Sequence, residues 1–370
     1  MTRELLNKNG EDIKRIYSLD VLRILATATI VLYHFQQVSG IGLANAIDFS
    51  TKVFNVAYLV EFFFVLSGFW AYKEYDKLVN AENSYKNFLI NKFNRLIPPI
   101  ILPCVLYTVL CYLFRSIVGN GGWYFDTTVD IIGTILASFG LQFWGVFDTT
   151  PINYPLWYVD VLLLCFIVFC LIIWISKKFS FSPIVGFVAM IIVGMIVWNR
   201  EIELPFLTMH IARGYYAFFF GLLVGMWYEK KKEELDKIPI MLLLAVIIVL
   251  SLFVTVHWID WFKQYDHYVY TFVTYPAIIA LFLNSRIQKL FNFKFLGEAG
   301  KVTYDVYVWH LVVFFFFDFI CSTNAVNQVF ACHNIMVISI LSSIIVGLLS
   351  FYLSDKATLK ILGRVKKMFV

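Results

Sequence analysis

The sequence predicts an all-α fold, a polytopic integral membrane bundle of about ten transmembrane helices with both termini in the cytosol. Three observations lead there. Hydrophobic residues fill 60% of the 370 positions and charged residues 15%, for a mean hydropathy of +0.76, more apolar surface than one globular core can hide. The apolar residues come in blocks of roughly 20, the length that crosses the hydrocarbon of a bilayer. Lys and Arg are shared very unequally between the stretches that join those blocks.

Eleven candidate segments lie near 19–38, 56–72, 95–117, 129–147, 155–176, 181–198, 212–228, 239–257, 267–285, 302–321 and 334–354. If all of them crossed, Lys177, Lys178 and the cluster of Lys230, Lys231 and Lys232 would face outward, against the positive-inside rule. Demoting 129–147 removes the conflict. Of the 30 Lys and Arg, 24 then lie inside and five outside (Lys52, Arg115, Arg200, Arg213 and Lys263), with Arg23 in the membrane. The demoted stretch becomes an outer segment, partly helical and either re-entrant or interfacial. One membrane domain covers 1–370, with residues 1–17 as a cytosolic lead and 355–370 as a basic cytosolic tail. The polar lead, followed by a span of full length, argues against a cleaved signal peptide.

Several classes of chemistry find no support. The net charge of +5 is an inner-leaflet effect and does not imply nucleic acid. Six cysteines occur without a CxxC pair, which argues against a zinc or redox module, and no metal is expected. Cys321 and Cys332 bracket one loop and either pair or stay free thiols. P-loop and HExxH spacings are missing, and no inverted repeat of the transporter kind is evident.

The first span, SLDVLRILATATIVLYHF, carries Arg23 and His34, and ionisable residues in a bilayer call for a reason. Eleven helical steps of about 100° return almost to the starting direction while climbing about 16 Å. The two side chains therefore share one face, Arg23 near the inner boundary and His34 in the outer third. Taken alone, Arg23 can snorkel to the inner headgroups and His34 can tie helices together. Glu61, near the outer end of the second span, falls at the depth of His34, where a carboxylate can fix an imidazole's tautomer and raise its basicity.

Taken together, these residues resemble the membrane acyltransferase 3 family of acyl-CoA-dependent O-acyltransferases, over nearly the whole chain. The family's Arg, ten residues, then His is matched by RILATATIVLYH, preceded by Leu19 and Asp20. Its acidic residue, aromatics and Ser-Gly pair are matched by Glu61, Phe63, Phe64, Ser67 and Gly68 in EFFFVLSGF. KFNRLIP supplies Lys92, Arg95 and Pro98, and YDVYVWH supplies Tyr304, Tyr307 and His310. FFFGLLVG resembles the family's small-residue packing helix. Two departures stand out. Lys92 stands where many members have Arg, keeping the charge but losing the bidentate fork, and Asp160, after Leu156 and Trp157, is out of the usual register.

The resemblance implies a multi-pass protein of the plasma or inner membrane that moves an acyl group, acetyl above all, from cytosolic acyl-CoA to a hydroxyl of an extracytoplasmic glycan or cell-envelope acceptor. The donor's phosphates must be held at the inner face by cations, for which Lys92, Arg95 and Arg23 are the candidates. His34 is then the general base, oriented by Glu61, or the nucleophile of a transient acyl-histidine. Tyr304, Tyr307 and His310 line the donor channel or bind the carbonyl oxygen. Trp123, Tyr124, Trp144, Tyr154, Trp157, Trp258, Trp261 and Tyr265 gather on the outer side, as an interface belt or as stacking faces for sugars. A transporter or flippase, or a membrane sensor on the same scaffold, would also carry buried charges; turnover with acyl-CoA separates the enzyme from both.

Overall fold

The computed structural model describes residues 15–39, 56–80, 84–117, 129–256, 265–322 and 337–353. Cys332 and the side chain of Cys321, together with Trp123, Tyr124, Trp258 and Trp261, lie outside what it describes. The described residues form helices joined by turns, and their only β pairing is an isolated bridge between Leu204 and Leu207. Fourteen α-helices run in order: α1 Tyr17–Ser39, α2 Leu59–Asn80, α3 Ser84–Leu96, α4 Pro98–Ile117, α5 Ile131–Ser138, α6 Trp157–Lys178, α7 Pro183–Asn199, α8 Met209–Leu235, α9 Ile240–Val256, α10 Asp266–Val269, α11 Tyr275–Leu283, α12 Ser285–Leu290, α13 Lys294–Ser322 and α14 Val337–Leu353.

Among the described residues, four stretches are long and apolar enough to cross a membrane: Tyr17–Gln37, Val56–Asn80, Ser84–Ile117 and Tyr154–Lys178. α7, α9 and α14 are apolar but shorter, and α8 and α13, at 27 and 29 residues, each carry a charged end. Of the demoted stretch, only the eight residues of α5 are α-helical, a length of about 12 Å that cannot cross the bilayer. The third segment begins differently from the expectation. α3 stops at Leu96 because Ile97 precedes Pro98 and Pro99, and a residue before proline is driven out of the helical region. Arg95 therefore ends an amphipathic helix rather than starting a spanning one. A π-helical turn, Tyr270–Thr274, separates α10 from α11.

Two packing units carry the candidate residues. In the first, α1 lies along α13, which also packs on α4. In the second, α2 lies along α8, flanked by α7. α6 touches both α2 and α8 and is buried over most of its length. The close approach of α2 and α8 rests on Gly221, because a Cβ there would collide with the backbone of Val65. Lipid-soluble helices gain little from hydrophobic exclusion, so contact of this kind is what holds them together. Gly221→Leu should therefore destabilise the folded protein by about 2 kcal/mol or more, read as a lower unfolding temperature in detergent; an unchanged value would remove this contact from the packing account.

Candidate active site

The continuity of α1 keeps Arg23 and His34 on one face, and α13 supplies the partner. His34 Nδ1 lies 2.8 Å from His310 Nε2, with the rings stacked at 4.9 Å between centroids. His310 is fully buried while His34 is half-buried. Nδ1 of His310 is hydrogen-bonded to the backbone carbonyl of Tyr307. A carbonyl only accepts, so in the neutral pair Nδ1 of His310 carries the proton and its Nε2 offers a lone pair. His34 must then donate from Nδ1, which leaves the lone pair of His34 on Nε2. One backbone carbonyl thus sets the tautomer of both rings, the arrangement a general base needs.

Glu61 does not fill that role, which corrects the expected Glu61–His34 pairing. Its Oε1 accepts from Arg213 Nε at 2.7 Å and from the Tyr216 hydroxyl at 3.0 Å, and its Oε2 accepts from Arg213 Nη2 at 2.7 Å. Arg213 Nη2 also donates to the Ala57 carbonyl at 2.5 Å, and the guanidinium stacks over Trp157 at 4.8 Å. The carboxylate is fully buried and takes the bidentate guanidinium because a planar fork satisfies both of its oxygens. Equal depth had suggested the imidazole; depth fixes height along the bilayer normal but not direction around the helix. Arg213, counted on the outer side and within the predicted segment 212–228, sits in the second turn of α8. Arg213 and Tyr216, three residues apart and hence on one helical face, were the available signal.

At the opposite end of α1, Arg23 Nη1 donates to Asp20 Oδ1 at 3.3 Å, and its charge lies close enough to act on Arg95 and Tyr158. Arg95 is exposed and has no hydrogen bond or ion pair among the described residues, although it also feels Arg15, Asp20 and Tyr304. The Tyr304 hydroxyl donates to the Leu96 carbonyl at 2.6 Å, tying α13 to the end of α3. Lys92 points elsewhere, over the rings of Phe166 at 4.5 Å and Phe88 at 5.1 Å. The structure thus gathers Arg23, Arg95 and Tyr304, with Tyr158 bonded to Ser67 at 3.1 Å nearby, and sets Lys92 against aromatic faces.

The loop between α5 and α6 closes the other side. Asn153 Nδ2 donates to the Val308 carbonyl at 3.1 Å, and the Tyr307 hydroxyl donates to the Pro155 carbonyl. Both bonds pin the loop to the turn of α13 that carries His310. Asn153 holds a left-handed conformation at φ 47° and ψ 61°, one that asparagine tolerates. Asp160 is buried and anchors the same loop, with Oδ2 accepting from Phe143 N at 3.0 Å and its carbonyl accepting from Trp144 Nε1 at 2.9 Å. Phe143, Tyr154 and Trp157 surround the half-buried His210 with centroids 4.9 to 6.0 Å away. Among the described residues, no group of three His, Cys, Asp or Glu side chains converges as metal ligands would.

Residues 16–355 match the family model described as an acyltransferase domain, Acyl_transf_3. The chain belongs to the membrane acyltransferase 3 family. No curated protein and no solved structure matches it.

Glu61→Gln keeps the shape of the side chain but leaves the Arg213 charge unpaired. A loss of about 3 kcal/mol of stability is expected, seen as a lower unfolding temperature. Transfer per folded molecule should fall far less than after loss of His34. The reverse pattern would return Glu61 to the chemistry.

Proposed function

We propose that this acyltransferase moves an acyl group, acetyl above all, from cytosolic acyl-CoA to a hydroxyl of an extracytoplasmic glycan or other cell-envelope acceptor, within the plasma or inner membrane. The observation that carries the proposal is the His34–His310 hydrogen bond, which leaves a basic nitrogen at His34 Nε2. The cations at the far end of the same helix face support the donor side. Arg95, without an acceptor among the described residues, and Arg23 suit the phosphates of the donor. Lys92 adds charge from the rim, while Tyr304 and Tyr307 line the path between the two ends.

In the reaction, His34 Nε2 takes the proton of the acceptor hydroxyl as its oxygen attacks the thioester carbonyl. Collapse of the tetrahedral intermediate breaks the C–S bond, and the imidazolium returns the proton to the leaving thiolate. The products are the ester and free CoA. His310 is the positioning partner that keeps Nε2 of His34 unprotonated at rest. Glu61 serves at one remove, by holding Arg213 against Trp157 beneath the outer loop. Tyr154 and Phe143 offer ring faces of the kind that stack on sugars, and Asp160 holds the loop that carries them.

His34→Ala should retain acyl-CoA binding and lower transfer on the order of 100-fold or more, measured per folded, donor-competent molecule. Near-normal specific activity would end the assignment. The reading also requires ten crossings with both termini inside. In a cysteine-free background, Lys177→Cys and Lys231→Cys should resist an impermeant thiol reagent in intact cells while Arg200→Cys is labelled. Labelling at Lys177→Cys would sink that topology.

A further inference from the structure

The inner cluster contains two residues to which no role in the donor site has yet been given. Arg15, just before α1, makes a two-pronged bond to Asp20, from Nε to Oδ2 at 2.6 Å and from Nη2 to Oδ1 at 2.9 Å. Asp20 Oδ1 also receives Arg23 Nη1 at 3.3 Å. One carboxylate, only 4% exposed, therefore holds two guanidinium groups, each of which interacts with the charge of the unpartnered Arg95. A guanidinium has five N–H donors, so Arg15, with its side chain 33% exposed, keeps three for another acceptor.

The carboxylate is fixed by more than its cations. It is wedged against α13 at Gly300, where a Cβ would come within 2.6 Å of Asp20 Oδ1, so α13 admits the carboxylate only because that position has no side chain. The other carboxylate that Arg95 influences, Asp305, accepts a hydrogen bond from Ser350 at 2.9 Å. Arg15 also acts on Glu298, which is paired with Lys301 at 2.8 Å; three arginines and that lysine facing three carboxylates leave the cluster positive, and like charges gathered there call for an anion between them.

We infer that Arg15 is a third guanidinium of the donor-phosphate site, and that Asp20 is the positioning residue that aims Arg15 and Arg23 at the phosphates of acyl-CoA. Asp20 strengthens anion binding while being an anion itself, because without it the two side chains lose their common orientation. This inference rests on the donor site proposed above.

The test measures binding of CoA and of 3′-dephospho-CoA to the full-length protein in detergent. Arg15→Ala should weaken CoA binding about 10-fold, as expected for one charge-assisted phosphate contact, and Arg15→Lys should recover only part, since a point charge replaces the fork. A larger loss for CoA than for the dephospho form assigns Arg15 to the 3′-phosphate; equal losses assign it to the diphosphate. Asp20→Asn should also weaken binding, and the double substitution should be no worse than Arg15→Ala by more than the share carried by Arg23. That non-additivity is what a purely structural Asp20 would not produce. Gly300→Ala, which displaces the carboxylate without removing it, should weaken CoA binding in the same direction. If Arg15→Ala binds CoA as wild type does while Arg95→Ala does not, this inference fails and the donor site stands. If Arg95→Ala also binds normally, the donor site itself is wrong.

Discussion

The apposition of α1 and α13 sets both ends of the site at once. Near one end it brings His34 to His310 at 2.8 Å; near the other it seats Asp20 against Gly300, which holds the arginines. Arg23 and His34, which belong to these two ends, lie on one face of α1 and stand about 16 Å apart along its axis. For the proposed acyl-CoA donor that separation suits a long, thin arm, with phosphates held at the inner face and a thioester that reaches His34. A change in the pitch or rotation of α1 against α13 would therefore disturb base and cations together.

The second unit supplies rigidity rather than chemistry. The fork between Arg213 and Glu61, backed by Tyr216 and the Ala57 carbonyl, satisfies a buried carboxylate completely. Such a pair is strongly destabilising to break and adds little net stability when intact, so its value lies in fixing orientation. Here it locks α2 to α8, and through the Arg213–Trp157 stack it reaches the start of α6. The outer loop is held from that side by Asp160 and from the α13 side by Asn153 and Tyr307. The aromatic ring faces around His210 are thus fastened next to the histidine pair by short chains of hydrogen bonds, in a region where an unmade one is expensive.

The sequence by itself determined the membrane solvent, the helical class and the rough positions of the apolar helices, though not the amphipathic α3, because those depend on composition and on local periodicity. It also determined that Arg23 and His34 share a face, since that follows from helical geometry within a single element. The motif residues Arg95, Tyr304 and His310 were legible only through their resemblance to the family's motifs, and all three lie within the family match over 16–355. What the tertiary structure alone decided was partnership. Glu61 stood at the depth of His34 while His310 was read as lining the donor channel, and the actual partner depended on how α1, α2, α8 and α13 are rotated about their own axes. Hydropathy is blind to that rotation. Arg213 was counted on the outer side within the segment 212–228, but its burial against a bidentate partner could not be read from charge counting. Asp20 was legible only as a motif residue and Arg15 not at all, because the role of Asp20 lies in a contact with Gly300, 280 residues beyond it along the chain, and Arg15 is positioned through Asp20.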